Sequence, residues 1–217
     1  DAWKARVALA EKLNLRVLTN LKVAAAFPTD HRLHAAPPAN RFGPETLKMI
    51  ADADVILSLD WLDLAGLLKS AYGSQPVTAR IIQVSCDQHS HRGWSMDHQG
   101  LPPIDVYLMC EPEAAVPMLL EAGKARTAGV PDAPAHKKPA APADSVSLTG
   151  VANALNKATR GIDVCYAHLP IGWSGANSSF RHPLDYLGAE GGAGVGSGPG
   201  ITVGAALGLK GSGRRGR

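Results

Sequence analysis

The sequence predicts an α/β fold, with a parallel sheet flanked by helices and then a second α/β unit that is incomplete. Three observations carry this expectation. Short and nearly continuous apolar runs, Asp54-Val-Ile-Leu-Ser-Leu59, Ala79-Arg-Ile-Ile-Gln-Val-Ser85 and Val106-Tyr-Leu-Met-Cys110, alternate with stretches of helical spacing. Runs of that kind suit strands buried on both faces, as in a parallel sheet. Residues 123–145 then change character: they are rich in Ala and Pro, basic in the middle, and without apolar periodicity, the composition of a partly extended interdomain linker. Beyond them lie too few elements to close a second sheet.

The elements follow in order. Apolar spacing at Trp3, Val7, Ala10 and Leu13 predicts a helix over 2–13, and Arg16-Val-Leu-Thr19 reads as a strand. Residues 44–53 read as a helix with Pro44 in its first turn, leading into the strand at 54–59. A helix at 62–72 precedes the strand at 79–85. The strand at 106–110 is followed by a helix over 112–122. These make residues 1–122 a Rossmann-like domain. After the linker, a helix at 146–160 and a strand at 162–169 open the second unit, 146–217, and residues 166–180 form a loop-rich passage. A further helix-like segment runs from Ile201 to Leu209.

Bulk composition narrows the function classes. Of the 217 residues, 45% are apolar, and the formal net charge of +3 is mild. Basic residues cluster at Lys210, Arg214, Arg215 and Arg217, and aromatics are 5% of the chain, so no base-stacking platform accompanies them and nucleic acid is not an expected partner. No apolar run approaches the ~20 residues of a membrane-spanning helix. The chain begins at Asp1 and enters a helical pattern at once, which reads as a sequence joined in progress. Cys86, Cys110 and Cys165 are odd in number, far apart and set in apolar strand-like runs. They are expected to be buried, reduced thiols, which favours the cytoplasm.

Several candidate chemistries compete. The patch Asp87-Gln-His-Ser-His-Arg-Gly-Trp-Ser-Met-Asp-His98 holds metal-ligand residue types, but nothing in it declares converging geometry, and a solvated loop is expected. Asp30 and His31, in Phe27-Pro-Thr-Asp-His31, could form an acid–base pair; a turn with Asp30 bonded to nearby backbone is the commoner use. A literal G-x-G-x-x-G at Gly211-Ser-Gly-Arg-Arg-Gly216 follows a helix instead of a strand, against what a dinucleotide site requires. No catalytic residue and no metal ligand is assigned.

The strongest signal is Glu190-Gly-Gly-Ala-Gly-Val-Gly-Ser-Gly-Pro-Gly200, which runs straight into the helix-like segment. Glycine density lets a backbone turn tightly and approach a ligand, and a helix start offers N–H groups to an anion. Small residues at Gly204, Ala205 and Gly208 would let that helix pack closely.

Taken together, Ala26-Phe-Pro-Thr-Asp-His31, Ala51-Asp-Ala-Asp-Val-Ile-Leu57, Ala79-Arg-Ile-Ile-Gln-Val84, Trp173, Phe180-Arg181, Pro183 and the glycine stretch resemble, in that order, the thiamine-diphosphate-dependent enzymes of the acetolactate synthase and 2-oxoacid decarboxylase group. The resemblance implies that residues 1–122 are the central domain, 123–145 the linker and 146–217 the opening of the diphosphate-binding domain, so the chain would be a fragment without activity alone. It places Val195 where the family has a Met that supports the bent cofactor. Gly194, Val195, Gly196 and Ser197 would be the cofactor-binding residues, with backbone around Gly194 to Gly196 meeting the aminopyrimidine. The implied cofactors are thiamine diphosphate and Mg2+, the latter held by a G-D-G…N-N segment expected just past Arg217. The implied substrate is a 2-oxoacid, and the implied parent a homodimer or homotetramer.

This sequence also departs from the family pattern. The Gln-His that touches the cofactor's diphosphate coincides with Leu169-Pro170. The Gly-Ala-Arg of flavin-binding members is Asp60-Trp61-Leu62, and the paired aspartates after the following strand become Ser85 and Asp87. These changes argue against FAD. They also leave open a rival reading, a non-catalytic Rossmann-type module that binds a nucleotide or a partner protein.

Overall fold

A three-stranded parallel sheet organises the first half of the chain in the computed structural model, which describes residues 2–87, 97–127, 139–140, 146–189, 196–213 and 215–216. The described chain divides into two compact units, one of Asp1–Leu13 with Arg41–Thr127, the other of Asn14–Asn40 with Ala128–Arg217.

In the first unit, helix α1 (Ala2–Leu13) and helix α2 (Pro44–Ala51) precede strand β1 (Val55–Leu59), helix α3 (Leu64–Tyr72), strand β2 (Arg80–Val84), strand β3 (Val106–Leu108) and helix α4 (Pro112–Ala122). Sheet order is β1-β2-β3, all parallel, with Leu57 opposite Ile82 and Ile82 opposite Val106. The apolar runs behave as expected of buried parallel strands: Ile81 and Val84 have almost no exposure. Helix α3 begins where it does because Asp63 caps it, its carboxylate accepting the Gly66 N–H at 3.0 Å. Its buried face, Leu64 and Leu68, packs on Ala79 and Ile81, with Ile56, Trp61, Tyr72 and Val77 around them. Helix α1 packs against α4, joined by the Arg6–Glu113 ion pair at 2.9 Å and by Lys12 Nζ donating to the Leu120 carbonyl at 2.6 Å.

Leu68 is the centre of the α3 contact and 1% exposed. Leu68→Ala is expected to destabilise the first unit by about 2–5 kcal/mol, the range for emptying a well-packed leucine site. Hydrogen exchange read by mass spectrometry in peptides covering α3 and β2 measures it, and protection unchanged from the parent chain would refute the packing role.

The second unit carries helix α5 (Leu148–Ala158), strand β4 (Val164–Cys165), 3-10 turns at Gly175–Asn177 and Pro183–Asp185, helix α6 (Gly198–Gly208) and strand β5 (Arg215–Gly216). Strands β4 and β5 are parallel, with Val164 opposite Arg215. Ser147 caps α5 through the Gly150 N–H at 3.1 Å.

Residues 14–40 bond with the segment from Tyr166 to Ala189 of this same unit. Ala25 N–H donates to Tyr186 O at 2.9 Å, Thr29 N–H to Phe180 O at 2.9 Å, and Ala189 N–H to Lys22 O at 3.2 Å. Two expected strands shrink here. Arg16–Thr19 is reduced to one parallel bridge, Val17 to His34, because its backbone bonds go to Leu33, Ala35 and Ala39 close by in sequence. The run expected over 162–169 is a strand only at Val164–Cys165, continued by a bridge from Tyr166 to Tyr186.

Candidate functional site

The second unit places the end of β4 beside the start of α6. A Cβ built on Gly198 would stand 3.9 Å from His168 Cδ2. The helix starts at Gly198, three residues earlier than the sequence spacing indicates. Pro199 explains the difference, since its fixed φ presets the first helical turn and offsets the flexibility of Gly198 and Gly200. Gly196 adopts φ +92°, the left-handed region that favours glycine. Nothing lies within 4 Å of a Cβ built on Gly196 or Gly200, so backbone is approachable at both. Ser197 is already helical at φ −67°, ψ −26°, and its side chain does not cap α6. Gly194 and Val195 lie outside the described residues.

Ahead of α6 in sequence, a wall is built from Trp173 to Gly188. Trp173 is buried and its indole N–H donates to Ser178 Oγ at 2.9 Å. Phe180 stacks on Tyr186 with ring centres 5.3 Å apart, and the Tyr186 hydroxyl donates to the Leu21 carbonyl at 2.8 Å. Phe180 is clamped by Thr29, whose N–H donates to Phe180 O and whose Oγ1 accepts the Phe180 N–H at 2.9 Å. His182 and Asp185 form a reciprocal capping box over Pro183–Asp185. Gly188 has φ +93°, and a Cβ there would meet the Ala24 N at 2.9 Å.

Asp30 is used differently from the expectation. Its carboxylate pairs with Arg181 Nε at 2.6 Å, a residue far away in sequence, rather than with the local backbone. The Trp, Phe-Arg and Pro of the sequence motif are thus brought together into one wall. Sequence reasoning missed Leu21 and Ala24 in the other half of it, and singled out Phe27-Pro-Thr-Asp-His31 without the pairing of Thr29 with Phe180 or of Asp30 with Arg181.

Three other expectations meet the structure here. Of the His-rich patch, residues 88–96 lie outside the described residues; His98 N–H donates to Asp63 Oδ2 at 3.1 Å. Among the described residues no group of three or more His, Cys, Asp and Glu could hold a metal ion. The G-x-G-x-x-G match follows α6 and leads into β5, the reverse of a strand–turn–helix; Arg214 lies outside the described residues.

All three cysteines are free, but only Cys165 is buried; Cys110 is half-buried and Cys86 exposed. The expectation of uniform burial fails because Cys86 falls two residues past the end of β2, where the chain leaves the sheet. Its thiol pKa is raised, first by partial desolvation and then by the negative charges of Glu111 and Asp60. The thiolate is the reactive form, so the raised pKa works against the reactivity that exposure would otherwise give Cys86. Iodoacetamide labelling of Cys86, followed by mass spectrometry against pH, is expected to reach half-maximal rate above the ordinary thiol range. Glu111→Gln should bring that midpoint down, and an unshifted profile would show that the charge does not act.

No protein-family model matches this sequence, and no curated protein matches it. Solved structures do. The benzoylformate decarboxylase of Polynucleobacter necessarius superposes with a TM-score of 0.72 at 20% identity, over 98% of this chain and 39% of that one. A Mycobacterium smegmatis protein described as a thiamin diphosphate-dependent enzyme gives 0.68 at 21% identity, over 98% and 40%. The thiamine diphosphate-dependent 4-hydroxybenzoylformate decarboxylase of Rhodococcus jostii RHA1 gives 0.65 at 20% identity, over 94% and 38%. The chain therefore spans about two-fifths of the length of the structures it matches. Identity this low shows fold alone: this chain has the fold of part of each of these three structures.

Proposed function

We propose that this chain is part of a thiamine-diphosphate- and Mg2+-dependent enzyme, similar to acetolactate synthase, that acts on 2-oxoacids by decarboxylation or carboligation. The observation that carries the reading is the wall holding Trp173, Phe180-Arg181 and Pro183, followed in sequence by the glycine stretch and the start of α6, on a fold matching enzymes of that cofactor class. The ring end of such a cofactor fits the residues present. Backbone is open at Gly196 and Gly200, and the first turn of α6 presents N–H groups without intrahelical partners. Gly194, Val195, Gly196 and Ser197 are the residues proposed to line it, with Val195 as the apolar support.

Thiamine diphosphate supplies the nucleophilic carbon and electron sink that cleavage beside a 2-oxoacid carbonyl needs. This chain's contribution is to position it: the Phe180–Thr29 and Trp173–Ser178 bonds hold the wall, and the helix start orients the ring. Leu169 and Pro170 have no side-chain donor to offer a diphosphate, so we place the diphosphate and Mg2+ contacts in sequence following β5, where a hard cation would find oxygen ligands. The parent is proposed to be a homodimer or homotetramer, because α6 exposes Val203 and Leu207 beside a stripe of small residues that permits close packing. Free thiols support a reducing compartment such as the cytoplasm. No helix among the described residues is long and apolar enough to cross a membrane.

The test is a titration of the full-length parent with thiamine diphosphate, with and without Mg2+, together with reading the coding sequence downstream of residue 217. Mg2+-dependent binding and a G-D-G…N-N segment are expected. The rival reading, a Rossmann-type module without catalysis, rests on Leu169-Pro170; nucleotide binding that ignores thiamine diphosphate would establish it instead.

A further inference from the structure

Asn153, Asn156, Lys157 and Arg160 follow one another at i, i+3, i+4 and i+7, the spacing of a single helix face, and carry that face of α5 just past its end at Ala158. Across from it runs the segment holding Ser179 and Arg181. Together with Gly161 these residues line a groove of about 490 Å³ inside the second unit. Both walls are fixed. Asn156 Nδ2 donates to the Asn177 carbonyl at 2.8 Å, which ties the helix to the facing segment. On the far side Thr29 clamps Phe180, and Asp185 accepts the Arg181 N–H at 2.5 Å.

The groove gathers three cations from two elements. A helix C-terminus attracts positive charge, which accounts for Lys157 and Arg160 but not for Arg181, which comes from the other wall. Asp30 takes Arg181 Nε at 2.6 Å and so holds the guanidinium in place through one of its nitrogens. The side chains of Lys157 and Arg160 have no ion pair or hydrogen bond among the described residues. Three cations against one carboxylate leave an excess of two positive charges, which a phosphate dianion matches.

The rest of the lining indicates what the phosphate is attached to. Asn153 and Asn156 turn their amide nitrogens to the Pro139 and Asn177 carbonyls, at 3.5 and 2.8 Å. Their Oδ1 atoms are neither buried nor bonded among the described residues, so each is an acceptor within reach of a ligand. A phosphate dianion brings no proton to an amide oxygen, whereas a hydroxyl does, and the exposed Ser179 hydroxyl can serve either way. None of the described lining residues brings an apolar side chain, so nothing here favours an aromatic or alkyl body.

We propose that this groove binds a compact phosphorylated polyol, its phosphate on Lys157, Arg160 and Arg181 and its hydroxyls on Asn153, Asn156 and Ser179. None of these residues belongs to the set proposed for the cofactor, so the two readings fail separately.

The experiment titrates the 217-residue chain with glucose 6-phosphate by isothermal calorimetry, alongside glucose, inorganic phosphate and AMP, and maps the site by NMR. Glucose 6-phosphate is expected to bind with a Kd on the order of 0.1–1 mM, in line with its size, and to shift resonances within 153–161 and 179–181. Glucose is expected not to bind, and inorganic phosphate and AMP to bind about tenfold more weakly or worse. Arg160→Gln, at an exposed position where folding is not at stake, is expected to weaken glucose 6-phosphate by about tenfold, and Asn153→Ala by about threefold. Lys69→Gln, an exposed charge of the first unit, is expected to leave the affinity unchanged. Failure of glucose 6-phosphate to bind, equal affinity for inorganic phosphate or AMP, shifts centred elsewhere, full affinity in Arg160→Gln, or an equal loss in Lys69→Gln would overturn the proposal.

Discussion

Gly175→Ala is expected to destabilise the second unit by about 3 kcal/mol or more, at the upper end of what overpacking does. A Cβ on Gly175 would stand 1.9 Å from the Pro38 carbonyl oxygen, 2.9 Å from its carbon and 3.0 Å from its nitrogen. All three are backbone atoms, so no rotamer change relieves the clash. Pro38 has a fixed φ, and the other side is pinned as well: Ser178 N–H donates to Gly175 O at 3.1 Å, and Ser174 Oγ accepts the Ala176 N–H at 3.3 Å. Either the 3-10 turn or the segment around Pro38 must move by more than an ångström. Because the chain has two units, a single unfolding midpoint is a poor measure. Hydrogen exchange read by mass spectrometry separates them, and faster exchange is expected in peptides covering 14–40 and 166–189 while β1 to β3 keep their protection. Parent-like exchange in both peptides would show that the close approach is not as drawn.

That contact also marks the limit of what sequence could reveal. In the first unit the information is local. Continuous apolar runs gave β1, β2 and β3 within a residue or two of their ends, and α1 and α4 match the expected spans. Pro44 and Pro112 stand at the starts of α2 and α4, whereas the helix expected from 62 begins at Leu64 because Asp63 caps it. In the second unit the information is long-range. Thr29 meets Phe180 across 151 residues, and Leu21 meets Tyr186 across 165. No periodicity encodes such a pairing, so Arg16–Thr19 looked like a strand when its backbone was committed elsewhere.

The candidate sites divide in the same way. The Trp, Phe-Arg, Pro and glycine motifs were visible because they follow one another in order along the chain. Asp30 was visible as a residue but not as the partner of Arg181, since charge pairs between distant loops leave no spacing. Gln83 is visible as a polar side chain inside Ile81-Ile-Gln-Val84. In a strand buried on both faces a glutamine needs partners, and among the described residues its Oε1 has none.

Trp173 gives the second large effect, and a series of variants separates its two contributions. Trp173→Ala is expected to destabilise the second unit by about 3–5 kcal/mol, the range for removing a buried aromatic. Trp173→Phe keeps most of the ring but deletes the N–H that Ser178 Oγ accepts at 2.9 Å. Both residues are buried, so the orphaned hydroxyl should cost about 1–3 kcal/mol. Adding Ser178→Ala to Trp173→Phe removes the orphan, and apolar replacement of both partners can be nearly neutral. The double variant is therefore expected to be more stable than Trp173→Phe alone, a non-additivity that only residues in contact produce. Denaturant unfolding of the four proteins, read by exchange protection in the peptide containing 173–180, supplies the cycle. Simple additivity would mean that the hydrogen bond contributes nothing and that Trp173 acts by bulk alone. A negative coupling would mean instead that the bond holds the 3-10 turn at Gly175–Asn177 in place, and with it the wall around Phe180.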